Sequence, residues 1–279
     1  MIRVIVDSSS DYTPQEAAAL GITVVPLSYT LGDETFVDGV TATPDEFYEK
    51  LISSTHFPKT SQAAPGAWLE AFQPVVDAGD EAIVFTLSSA LSGTCQSARL
   101  AATMTASSAV QVIDSLTATV VVRLMVDHAL ELIAKGKPMK KIVDACMKLR
   151  SRCRIVAALD TLEFLKRGGR IPAGAAAIGE AAKLKPLIYL DERGKVSLLG
   201  GALGMKRGIA SVLKQVEKMG VDKKFPVYSV YTVGTKNTET LEGKLAKAGV
   251  QVLRRLQVGP SVGSHIGPDA CGVVFVAAK

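Results

Sequence analysis

The stretch Ile2-Arg3-Val4-Ile5-Val6-Asp7-Ser8-Ser9-Ser10-Asp11-Tyr12-Thr13-Pro14-Gln15-Glu16 decides the fold. Ile2, Val4, Ile5 and Val6 are β-branched and apolar, so residues 2–6 read as a strand ending at Asp7. Thr13-Pro14-Gln15-Glu16 then opens a helix, with Thr at the N-cap, Pro in the first turn and Glu where a capping box needs it. Gly21 stops that helix, and residues 22–27 read as a second strand. Strand, polar turn, helix and strand in succession are the beginning of a parallel sheet covered by helices.

The pattern continues outward. Thr43-Pro44-Asp45-Glu46 repeats the helix-start chemistry and leads into 47–53. Residues 66–78 are a third amphipathic helix, 82–87 a buried strand, 90–104 a helix, 110–113 a strand, and 116–134 a long helix closed by Gly136 and Pro138. After a helix at 139–149 the style changes. Residues 155–159 read as a strand and 162–167 as a short helix, while 186–190 and 196–199 form a hairpin around Gly194. Helices at 206–219 and 238–248 alternate with strands at 227–233, 250–257 and 272–277, the last preceded by a Gly-rich loop. Residues 1–150 are therefore expected to form an α/β domain with a parallel sheet. Residues 151–279 are expected to form an α+β domain, the change falling near 150–154.

The chain has 279 residues, 48% hydrophobic, 21% charged and 5% aromatic. That is ample for a large core and excludes disordered and collagen-like classes. Scarce aromatics argue against single-stranded nucleic acid as a partner, because base stacking needs aromatic platforms. The net charge of +5 is modest and partly local to 135–141 and 146–154. Such runs are first solvated helix ends and only second a docking patch for an acidic partner. Cys95, Cys146, Cys153 and Cys271 show no CxxC and no zinc spacing. The N-terminus reads as a strand rather than a signal peptide. The longest apolar candidate, 117–126, is broken by Arg123, well short of the ~18 residues of a membrane span. The expectation is a reduced, cytoplasmic protein without metal or membrane insertion.

Small hydroxyl residues cluster just beyond strand ends, at 7–11, 88–94 and 114–117. Ligands of open α/β sheets bind at the carboxyl ends of the strands, where helix N-termini suit an anionic group. Each cluster alone is ordinarily a cap; several on one side of one sheet point to a site. Pro58-Lys59-Thr60-Ser61-Gln62 lies between helices as a polar loop whose Thr60 and Ser61 hydroxyls can donate to a buried acceptor. His265 sits in the stretch Gly259-Pro260-Ser261-Val262-Gly263-Ser264-His265-Ile266-Gly267-Pro268, where it suits a carboxylate partner or a general base. Ser92 with His265 is a conceivable nucleophile–base pair, but the G-x-S-x-G elbow is absent and no acid is marked as third partner. No P-loop or dinucleotide fingerprint occurs. Small residues at 173–184 either permit close helix packing or leave room for an elongated apolar ligand, with Phe164, Leu165, Ile171, Ile178 and Leu187 as candidate lining.

Taken together, these segments resemble the DegV family. The matching pieces run in order over nearly the whole chain: Asp7-Ser8-Ser9-Ser10-Asp11, Asp38-Gly39, Glu46-Phe47-Tyr48, Pro58 to Gln62, Leu91-Ser92-Gly93-Thr94 and Ile113-Asp114-Ser115. They continue through Leu159-Asp160-Thr161-Leu162-Glu163-Phe164-Leu165-Lys166-Arg167-Gly168-Gly169-Arg170-Ile171 and end at His265. The resemblance implies an N-terminal α/β domain and a C-terminal α+β domain, with a long-chain fatty acid in a tunnel between them. It implies that Thr60, Ser61 and Ser92 hold the carboxyl group, with the Gly93 backbone alongside and His265 approaching from the second domain. Arg170 is then a head-group or partner contact. It further implies a non-catalytic, lipid-binding role without cofactor, presenting the acid to a separate fatty-acid kinase. Kinase-serving members carry an arginine before the helix that contains Ile209; Leu203 falls there, which weakens that part of the likeness. The alternatives are a Ser/His acyl hydrolase and a fatty-acid carrier without a kinase.

Overall fold

The computed structural model describes residues 1–171, 175 and 184–278. In chain order the first half holds β1 (Ile2–Asp7), α1 (Pro14–Leu20), β2 (Ile22–Val25), β3 (Ser28–Leu31), β4 (Glu34–Val37), α2 (Pro44–Ser53) and β5 (Lys59–Ser61). It continues with α3 (Pro65–Asp77), β6 (Glu81–Thr86), α4 (Thr94–Met104), β7 (Val110–Asp114), α5 (Val121–Ala134) and α6 (Met139–Arg150). The second half holds β8 (Cys153–Ala158), α7 (Glu163–Arg167), β9 (Leu184–Leu190), β10 (Val196–Leu203) and α8 (Met205–Met219). Then follow β11 (Tyr228–Tyr231), α9 (Lys236–Lys247), β12 (Arg254–Gln257), α10 (Pro260–Ile266) and β13 (Cys271–Val276).

Among the described residues three sheets result. The first is wholly parallel, in the order β2-β1-β6-β7. The second is mixed, in the order β10-β9-β8-β13-β11-β12, with only β11 and β12 parallel. A small antiparallel sheet, β4-β3-β5, stands apart. The fold is thus the expected α/β arrangement: a parallel sheet followed by a separate mixed one. Strand periodicity stacks the layers. Val4, Val6, Ile83 and Phe85 point to α5 and α6, while Ile5, Ala82 and Val84 pack on Trp68 and Phe72 of α3 and Ala98 of α4. Across α5, Val274 and Val276 bring the mixed sheet into the same core, and Val273 and Phe275 face α8 and α9.

Local chemistry placed α1 and α2. Both start at capping boxes, Thr13 with Glu16 and Thr43 with Glu46, and α1 ends at Gly21 in the left-handed region. Four expectations need correction. Residues 58–62 are not a helix-to-helix loop: Lys59–Ser61 is a strand, pairing Ser61 with Ser28 and Thr60 with Tyr29. The β3–β4 hairpin, which turns at Gly32, was not expected at all. The Gly-rich stretch is a helix, α10, opened by Pro260 in its first turn and stopped at Gly267. Finally, α4 and α5 start later than expected, at Thr94 and Val121; left-handed Leu116 and Thr119 keep the segment before α5 out of the helix. Among the described residues no helix is long and apolar enough to cross a membrane, and the four cysteines are free and buried.

Candidate functional site

The carboxyl ends of the parallel strands lead to Leu27, Leu87 and Ala118, which form one small apolar cluster. These three residues line a cavity of about 220 Å³ whose opposite wall comes from the mixed sheet and its connections, with Ile155, Ala157, Leu159, Leu165 and Ile188. The cavity thus lies at the strand ends where open α/β sheets place ligands.

Thr60, Ser61, Ser92, Gly93, Arg170 and His265, the residues singled out in the sequence, all line this cavity. Four separate segments bring them there. β5 supplies Thr60 and Ser61, the turn before α4 supplies Ser92 and Gly93, the segment after α7 supplies Arg170, and α10 supplies His265. Thr60 Oγ1 lies 2.8 Å from His265 Nε2. The Ser92 hydroxyl is 2.9 Å from Thr94 Oγ1 and accepts from the Thr94 amide at 3.2 Å. Arg170 donates to the carbonyls of Leu91, at 3.0 Å, and Gly168, at 2.5 Å. It therefore ties the Ser92 turn to the segment against which His265 packs.

Two details escaped the sequence reading. Gly168 must lack a side chain because any Cβ there would overlap His265 Nδ1. The only sequence signal was the Gly168-Gly169 pair, which reads equally well as a helix stop. Gln62 also reaches the cavity: it lies where a Cβ on Gly93 would be and donates to Ser97 Oγ at 2.8 Å. Of the expected apolar lining, Leu165 is in place. Leu187 instead packs with Val212 on the α8 face, Ile171 is exposed, and Phe164 packs at a tilt against Phe57 with centroids 5.0 Å apart. Ile178 and nearly all of 173–184 lie outside the described residues.

Burial, reinforced by the neighbouring Arg170 cation, lowers the His265 pKa to about 4. The ring is therefore neutral at neutral pH, and Arg170 is the cation at this end of the cavity. Hydroxyls, an imidazole and a guanidinium gathered in a largely apolar cavity suit an amphiphile with an acidic head and a hydrocarbon tail. A carboxylate leaving water needs several such donors. In the pair Ser92–His265 each side chain bonds elsewhere: Ser92 to Thr94, and His265 to Thr60. Among the described residues no group of three His, Cys, Asp or Glu could hold a metal.

Comparison with known proteins identifies the family. The family model described as "Uncharacterised protein, DegV family" matches residues 1–278. A DegV domain-containing protein of Caldanaerobacter subterraneus subsp. tengcongensis is 31% identical over 278 residues, covering 98% of each chain. Among solved structures, a fatty-acid-binding DegV family protein from Thermus thermophilus is 31% identical, with a TM-score of 0.91 over 99% of both chains. The Fak B3 protein of the Streptococcus pneumoniae fatty acid kinase, loaded with linoleic acid, shares the fold. Its TM-score is 0.88 over the full length of both chains, at 21% identity. Sequence, fold and cavity together place the chain in the DegV family.

Proposed function

We propose that this protein binds a long-chain fatty acid in the cavity and presents its carboxyl group to a separate fatty-acid kinase, contributing no catalytic group itself. The observation that carries the reading is the collection of Thr60, Ser61, Ser92, Gly93 and His265 in a largely apolar cavity, with Arg170 as the adjacent cation. In this reading the hydroxyls and the Gly93 amide donate to the carboxylate, and Arg170 balances its charge. Each buried methylene of the tail adds about 0.8 kcal/mol. In this reading the ligand lies between residues 1–150 and residues 151–279. The likeness to the Thermus thermophilus protein, whose structure concerns fatty-acid binding, supports the binding step.

The kinase would transfer the γ-phosphoryl group of ATP to one carboxylate oxygen, giving an acyl phosphate and releasing ADP. This step rests on the family resemblance and on the shared fold of the Fak B3 protein. Leu203, 60% exposed, stands where an arginine was expected, and it favours the second reading: a carrier that serves no kinase. Phosphorylation of the bound acid by an added bacterial fatty-acid kinase and ATP distinguishes the two.

Binding is tested by titrating delipidated protein with palmitate. Ser92→Ala and His265→Ala are each expected to weaken binding by about ten- to a hundredfold, the range for losing one hydrogen bond to a charged group. Both variants should keep the wild-type circular dichroism spectrum. Unchanged affinity in both variants would remove the head-group assignment.

A further inference from the structure

A second cavity, of about 270 Å³, lies next to the first. Among the described residues the two share two lining side chains, Ile155 and Leu190. These residues sit on adjacent antiparallel strands. The pairing Val156–Tyr189 places Ile155 opposite Leu190 one step further along the register. Both side chains are only partly buried, as expected of a wall with space on each side. Beyond them the second cavity changes character, to Leu116 and then Arg150, Arg154, Asp191 and Glu192.

Along β8 the wall stands away from the His265 end of the head group, while Leu190 packs on the Leu27–Leu87–Ala118 cluster that Leu91 also joins. Leu159 clusters with Leu165 and with Ile266, the neighbour of His265, so the head lies at that end of β8. From Leu159 back to Ile155 an extended strand covers about 13 Å. The turn that carries the wall is firmly seated. Gly194, in the left-handed region, lies so close to Ser88 and Leu116 that a Cβ there would overlap Ser88 Oγ.

We infer that Ile155 and Leu190 form the wall that stops the acyl tail and so set the longest chain the protein accepts. The inference rests on the fatty-acid reading above. Trimming either side chain opens the tunnel into the second cavity, where the apolar Leu116 can cover additional methylenes; enlarging Leu190 shortens the tunnel.

The test titrates delipidated wild type, Leu190→Ala, Ile155→Ala and Leu190→Phe with saturated fatty acids of increasing length, read by native mass spectrometry. The two alanine variants should prefer longer acids than wild type, and Leu190→Phe shorter ones. The affinity ratio for acids two carbons apart should change on the order of tenfold. Should Leu190→Ala not fold, Ile155→Ala and Leu190→Phe still decide the matter. If wild type binds acids but every folded variant keeps its length profile, the wall is wrong and the fatty-acid reading stands. If wild type binds no acid of any length, that reading fails and the wall's role fails with it.

Discussion

Between pH 5 and pH 8 the wild-type protein should lose on the order of 3 kcal/mol of stability relative to Asp11→Asn. The cause is a set of aspartates where β1 meets α10, Asp7 and Asp38 buried and Asp11 half-buried. Asp7 accepts from the amides of Ser9 at 3.0 Å and Leu87 at 2.7 Å. Asp11 accepts from the Gly259 amide at 3.0 Å and from the Thr119 hydroxyl. Asp38 takes the hydroxyls of Ser8, at 2.9 Å, and Ser261. Burial raises the Asp7 pKa to about 6 and, with the nearby Asp38 charge, the Asp11 pKa to about 7; burial also raises that of Asp38. An acid whose folded pKa exceeds its unfolded value binds more protons when folded. Its contribution is therefore present at low pH and is lost as pH rises, for Asp11 up to about 7. His265 works in the opposite direction: its lowered pKa costs stability as pH falls from about 6.5 toward 4. That contribution is common to both proteins and cancels in the comparison. Asn matches the protonated acid in shape, tolerates the left-handed backbone of Asp11 at φ 60°, and still accepts from Gly259. Urea denaturation at the two pH values measures the effect. Parallel losses in wild type and variant would mean that Asp11 does not titrate in this window.

How much of this was legible in the sequence depended on how far apart the interacting residues lie. Helices α1 and α2 were readable because Thr13 with Glu16, and Thr43 with Glu46, are three residues apart and fix a helix start by themselves. Strand β5 was not, because it pairs with β3: Ser61 finds its partner in Ser28, and nothing within residues 58–62 announces that. Helix α10 was misread for a different reason. Its glycines suggested a loop, yet Gly259 and Gly267 flank the helix while Gly263 lies inside it, against the Tyr48 ring and hydroxyl. The site is the extreme case. Its polar residues come from four segments spanning positions 60 to 265, so no spacing rule unites them; the family resemblance did. The hydrogen bond between Thr60 and His265, rather than between Ser92 and His265, needed the three-dimensional structure.

Arg123→Met is expected to cost about 3–5 kcal/mol, the largest loss from any single substitution considered. Arg123 is 3% exposed on α5, with its guanidinium inserted into the polar turn after β1. It donates to the carbonyls of Ser10, at 3.0 Å, and Asp11, pairs with Glu16 at 3.1 Å, and lies over the Tyr12 ring at 4.1 Å. Methionine fills much of the same volume but leaves those carbonyls without their donor and Glu16 without one of its two arginines. Lysine restores the charge but not the planar fork, so Arg123→Lys should recover only part of the loss. The exposed pair Lys135–Glu131 is the control: Lys135→Ala should leave stability unchanged within error. Chemical denaturation at pH 7 compares the three, and equal stability of Arg123→Met and Lys135→Ala would show that the turn holds without the arginine. The consequence for binding follows from connectivity. The turn that Arg123 fixes carries Asp11, whose carboxyl holds the Gly259 amide at the start of α10, and α10 carries His265. Loosening a buried arginine on α5 is thus expected to shift the imidazole at the head of the cavity. Under the proposed function a folded Arg123→Lys variant should accordingly bind fatty acid more weakly than wild type, although residue 123 itself does not line the cavity.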